Sequence, residues 1–94
     1  MTADAHPLRV LVVDDEILAR SRLRTLLGDC RALVARVVGE AANAADALAR
    51  LQHTPADVVL LDIHMPGMDG VALARLLASL PQSPAVVFVT AHAE

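Results

Sequence analysis

The stretch Leu8-Arg9-Val10-Leu11-Val12-Val13-Asp14-Asp15-Glu16 decides the fold. From Leu8 to Val13 only Arg9 is polar, so the run lacks the alternation of a strand with one wet face. An unbroken apolar strand needs cover on both faces, the condition of a parallel sheet flanked by helices. Acidic residues end the run, and the chain then turns helical. Ala19, Leu23, Leu26 and Leu27 fall on one face, Arg20, Arg22 and Arg24 lie elsewhere, and Gly28 is a stop signal.

The same alternation continues downstream. Val34 to Glu40 is a second strand and Asn43 an N-cap. Ala44, Ala47, Leu48 and Leu51 form a helix face that ends at Thr54-Pro55. Val58 to Asp62 is a third strand, apolar until its last residue, and His64 to Gly70 reads as a loop rich in Pro, Gly and Met. Leu73, Leu76, Leu77 and Leu80 mark a third helix, Pro81 to Pro84 a turn, and Val86 to Val89 a fourth strand ending at Thr90. The order β-α-β-α-β-α-β predicts an α/β fold, a doubly wound parallel sheet with helices on both faces.

Bulk properties narrow the function. With 94 residues the chain has room for one domain, and 55% hydrophobic against 20% charged residues is a globular composition. The net charge of −3 argues against a nucleic-acid surface within these residues. All eight Lys-or-Arg positions are arginine, and Phe88 is the sole aromatic residue, so the core is aliphatic. The single cysteine, Cys30, permits no internal disulfide and reads as inert. No apolar run approaches a membrane span, and Met1 to Pro7 lacks the pattern of a signal peptide, which makes the cytoplasm the expected compartment.

The polar residues that break the apolar runs all stand at one end of the strands. Asp14 and Asp15 follow the first strand, Asp62 ends the third and Thr90 the fourth. In a parallel sheet these are carboxyl ends, where ligands bind in the crevice near the switch in strand order. Carboxylates gathered there repel one another unless a cation joins them, and an all-oxygen set with open positions suits Mg²⁺. Taken singly, each residue has a plainer reading. An acidic pair can merely favour a helix N-terminus, Asp62 can cap a turn, and Thr90 can be an ordinary strand-end threonine. His64 and His92 read as solvated loop residues, Met65 and Met68 as loop packing, and Arg20, Arg22, Arg24 and Arg31 as a solvated face.

Three stretches in order carry a specific resemblance. They are Val12-Val13-Asp14-Asp15-Glu16, the run from Leu60 to Gly70 (LLDIHMPGMDG), and Val87-Phe88-Val89-Thr90-Ala91. Together they resemble the receiver domains of two-component response regulators, from Leu8 through Glu94. The resemblance implies a flavodoxin-like, CheY-like sheet of order 2-1-3-4-5. It implies Asp62 as phosphoacceptor and Asp15 as a direct Mg²⁺ ligand, with Asp14 acting directly or through water. It further implies the backbone carbonyl of His64 on the metal and Thr90 as a switch hydroxyl, with Pro66 and Gly70 shaping the loop. The implied partner is a sensor histidine kinase. More loosely, Asp14 to Arg20 with Thr90-Ala91-His92 resembles receivers joined to LytTR-type output domains, through which alone DNA would be contacted.

Two departures qualify the resemblance. The family's lysine at the end of a fifth strand has no counterpart here, so self-phosphorylation is expected to be slow and a pseudo-receiver that only binds partners is the alternative. The resemblance also calls for a further helix, strand and helix after Thr90. Residues 1–94 are therefore expected to be a receiver incomplete at its C-terminus, with the apolar strand Ala85 to Val89 left as an edge. Such an edge would be covered in a longer regulator or by pairing with another copy as a homodimer. A Mg²⁺-dependent phosphohydrolase is the competing enzyme class. It is disfavoured because position 64, two residues past Asp62, holds histidine rather than an acid/base aspartate.

Overall fold

The opening apolar run forms β1 (Leu8–Val13) at the centre of a parallel sheet. The computed structural model describes residues 7–30, 34–65 and 68–89; of His64, Met68 and Asp69 it describes the backbone. The elements that follow are α1 (Ile17–Asp29), β2 (Ala35–Ala41), α2 (Ala44–His53), β3 (Val58–Asp62), β4 (His64–Met65), β5 (Met68–Asp69), α3 (Gly70–Ala78) and β6 (Ala85–Val89). The four-stranded sheet has the order β2-β1-β3-β6, every pair parallel, with β6 as the fourth strand expected from the sequence. This is the CheY-like arrangement. No described helix is long and apolar enough to cross a membrane.

Strand alternation divides the core into two faces. On one, Leu11, Val13, Val59 and Leu61 pack with Ala44 and Ala47 of α2 and Leu73 and Leu77 of α3. On the other, Val10 and Val12 are buried on the side where α1 lies over β1 and β2. Among the described residues nothing closes that face over β3 and β6, where Val58 and Leu60 are half-buried and Val87 is 47% exposed. Phe88, near the end of β6, is 43% exposed. The cap foreseen for α2 is present: Asn43 Oδ1 accepts from the Asp46 N–H at 2.8 Å.

Several expectations shift in detail. β2 begins and ends one residue later than expected, and its register against β1 slips between Val10 and Leu11. The segment from His64, expected as a loop, contains a short antiparallel pair, β4 with β5, whose ladder satisfies backbone groups beside the site. Leu26 does not share the buried face: it is 65% exposed, while Ala19 is buried and Leu23 and Leu27 are half-buried. The reason is that α1 is rolled toward Arg20 and Arg24, which both reach Glu40 of β2. Leu76 likewise sits on the flank of α3, 44% exposed, while Leu73 and Leu77 are fully buried.

The amino ends of the strands are tied by Asp57. Its carboxylate accepts from Arg9 Nε at 3.1 Å, Arg9 Nη2 at 3.0 Å and the Arg9 backbone N–H at 2.7 Å. Its own N–H donates to the Arg9 carbonyl, and its carbonyl accepts from Ala85 N–H, so one residue links β1, β3 and β6.

Candidate functional site

The sheet register brings the acidic residues together. Val13 pairs with Leu61, so Asp14, just past β1, stands beside Asp62, the last residue of β3. Carboxylate oxygens of Asp14, Asp15 and Asp62 all lie within 4.8 Å of one another. Asp14 is 5% and Asp62 9% exposed, whereas Asp15 is open to solvent. The cluster thus has two walled carboxylates and one at the mouth.

The loop that carries the pair is held by its neighbours. Asp14 N–H donates to the Ala41 carbonyl at 3.0 Å, and Asp14 Oδ1 accepts from the Glu16 N–H at 2.9 Å. The Asp14 carbonyl accepts from Arg20 Nη1 at 2.7 Å. Arg20 Nε in turn donates to Glu40 Oε1 at 2.9 Å, and Arg24 Nη2 lies 2.7 Å from Glu40 Oε2. Arg20 is therefore not part of a solvated face, with a side chain only 15% exposed, and Arg24 is ion-paired while half exposed. Sequence reading missed this cluster. Its signal is Glu40, an acid in a strand that must be partly buried, which calls for a cationic partner.

On the far side of Asp62, α3 starts against the strand end. A Cβ at Gly70 would stand 3.1 Å from the Asp62 carbonyl oxygen and 3.1 Å from Ile63 Cα, both backbone atoms with little room to yield. Thr90 lies outside the described residues, as do Pro66, Gly67 and His92 and the side chain of His64. A hollow of about 480 Å³ elsewhere, lined by Leu48, Leu51, Ala56, Leu80 and Pro84 among others, has no acidic or basic residue in its walls and lies apart from the cluster.

Electrostatics oppose one another across this region. Burial raises the pKa of Asp14; the Glu16 N–H works against that rise, and the charges of Asp62, Asp15 and Glu16 add to it. Glu40 is held below the usual glutamate range, first by the hydrogen bond from Arg24 and then by Arg20, with burial opposing. The two contributions to stability therefore run in opposite directions with pH. The folded state binds the Asp14 proton more tightly than the unfolded chain does. Its contribution thus improves as pH falls from neutral through the raised value. The Glu40 contribution is fully present above the ordinary glutamate value and is lost as pH falls through its depressed one. In chelator-treated protein, Asp14→Asn is expected to raise the neutral-pH melting temperature and remove the gain on mild acidification, while Glu40→Gln lowers it. Thermal melts across pH check both signs.

The donor set suits a hard cation. All three groups offer anionic oxygen, one is open to solvent, and bonds of about 2.1 Å to Mg²⁺ need only small inward movements from a 4.8 Å spread. A divalent ion held there would relieve the mutual repulsion of the carboxylates.

Comparison with known proteins agrees with this geometry. The family model described as the response regulator receiver domain matches residues 10–94. The chain is 44% identical over 88 residues to a protein-glutamate methylesterase/protein-glutamine glutaminase of Myxococcus xanthus, covering 94% of this chain and 25% of that protein. It is 42% identical over 85 residues to the sensory transduction protein LytT of Bacillus cereus, covering 90% of this chain and 34% of that protein. The chain thus spans about a quarter to a third of these relatives. Among solved structures, the response regulatory domain of MrkE from Klebsiella pneumoniae superposes with a TM-score of 0.77 at 36% identity, covering 93% of this chain and 70% of that one.

Proposed function

Because this chain belongs to the response regulator receiver family, we propose that Asp62 accepts a phosphoryl group from the phosphohistidine of a sensor histidine kinase. A receiver is a signalling phosphoacceptor rather than a classical enzyme, and its family implies a histidine kinase partner. The observation that carries the residue assignment is the cluster of Asp14, Asp15 and Asp62 oxygens within 4.8 Å at adjoining strand ends.

In the proposed transfer, an oxygen of the Asp62 carboxylate attacks phosphorus. The P–N bond of the donor breaks, and its electron pair returns to the imidazole. Asp15, at the mouth, would hold Mg²⁺ together with Asp62 and the His64 carbonyl, with Asp14 acting directly or through water. Bound there, the ion would neutralise the carboxylates and the incoming phosphoryl oxygens. Asp14 positions the loop through its hydrogen bond from Glu16. Thr90 is the proposed hydroxyl that follows the phosphoryl group.

Residues 1–94 are proposed to act as one receiver unit that switches an output elsewhere in the protein. A LytTR-type DNA-binding output is the reading favoured by the likeness to LytT. The Myxococcus relative, named as a methylesterase, carries a similar segment, and this chain covers 25% of its length.

The test is a Mg²⁺ titration followed by amide chemical shifts. Asp15→Asn is expected to weaken binding by at least about tenfold, since even outer-shell partners of a metal cost that much. Binding at parental affinity would remove Asp15 from the ligand set.

A further inference from the structure

We propose that Arg20 is a positioning residue: by gripping the Asp14 carbonyl from a helix anchored on Glu40, it sets the aim of the Asp15 carboxylate. The inference rests on the reading of the acidic cluster as a Mg²⁺ site.

The side chain of Asp15 stands at the mouth of the cluster. Among the described residues its carboxylate makes no hydrogen bond or ion pair, and it is exposed. Its direction must therefore come from the backbone. The oxygen that Arg20 Nη1 holds at 2.7 Å belongs to the peptide joining Asp14 to Asp15. That peptide is planar, so restraining its oxygen also restrains the nitrogen and Cα of Asp15.

Arg20 is itself immobilised. Its side chain is 15% exposed, and Nε donates to Glu40 Oε1 while Nη1 reaches the carbonyl. Both contacts use the rigid fork of one guanidinium, which a lysine cannot reproduce. Glu40 lies in β2, paired with Val12 of β1, and is gripped a second time by Arg24. The sheet thus supports the loop through Glu40 and Arg20 in series. The arrangement matches the outer-shell support that orients ligands at metal sites.

Docking of α1 alone would make Arg20 and Arg24 equivalent, since both bind Glu40. Only Arg20 touches the loop, so the pair separates the two roles. Mg²⁺ affinity of the 94-residue chain, read from amide shifts, is measured for Arg20→Ala, Arg20→Lys, Arg24→Ala and Asp15→Asn. Arg20→Ala is expected to weaken Mg²⁺ binding by about tenfold or more. Arg20→Lys should not restore it, and Arg24→Ala, which leaves the Arg20 contacts in place, should weaken it far less. In metal-free spectra the Asp15 and Glu16 amides should move in the Arg20 variants and not in Arg24→Ala. Parental affinity in Arg20→Ala overturns the proposal, as does an equal loss in Arg24→Ala. Should Arg20→Ala fail to fold, Arg20→Lys decides: parental affinity there refutes the two-point grip. Asp15→Asn distinguishes the premise: parental affinity in that variant removes Asp15 from the ligand set and with it the premise, whereas a loss there beside parental affinity in Arg20→Ala overturns the inference alone.

Discussion

Asp62→Asn is expected to reduce labelling of the chain by acetyl phosphate with Mg²⁺ to background, as read by intact-mass spectrometry. The substitution keeps size and shape but replaces the attacking anionic oxygen with a neutral amide. Among the described residues no neighbouring carboxylate is set to take over. Asp14 is buried, and its Oδ1 already accepts from the Glu16 N–H. Asp15 stands at the mouth as the proposed ligand. Beryllofluoride, which mimics the phosphoryl group, should likewise perturb the amides around Asp62 in the parent and leave Asp62→Asn untouched. Labelling of Asp62→Asn at the parental level would sink the assignment.

The largest stability effect is expected one residue earlier. Leu61 is fully buried, paired with Val13 on one side and Phe88 on the other, within the cluster that includes Leu73 and Leu77. Leu61→Ala should cost about 2–5 kcal/mol through lost transfer energy and the cavity left behind. That is a large fraction of the ~5–15 kcal/mol that holds a domain together. Leu26→Ala, at an exposed helix position, should stay within about 0.5 kcal/mol. Urea unfolding of the two variants measures the contrast. Equal midpoints would mean that the α2–α3 face is not the core.

The fold was legible because β1 and β3 are apolar on both faces and each helix carries a stripe at helical spacing. The acidic cluster was legible because strand polarity alone puts Asp14, Asp15 and Asp62 at one end of a parallel sheet. What the sequence left hidden depends on how elements seat against each other. Leu26 and Leu76 satisfy the periodicity yet lie outside the buried seats, because periodicity defines a stripe wider than the contact. Arg20 looked like its neighbours Arg22 and Arg24 until β2 placed Glu40 under it. Asp57, in the turn before β3, gave no local sign that Arg9 would meet it across 48 residues of chain.

That sequence separation has a consequence for how the protein acquires its site in time. β1 pairs with β2 nearby, but its pairing with β3 must close a loop whose Arg9–Asp57 contact spans 48 residues. Closing loops of this size is the slow, entropically opposed part of assembling a parallel sheet. Asp14 and Asp15 follow β1, and Asp62 ends β3. The three carboxylates therefore come together in the same event that joins the two central strands. A chain folded only through β2 would hold the acidic pair without Asp62, the proposed phosphoacceptor, beside it. Assembly of the proposed site thus coincides with the topology-defining pairing of β1 with β3.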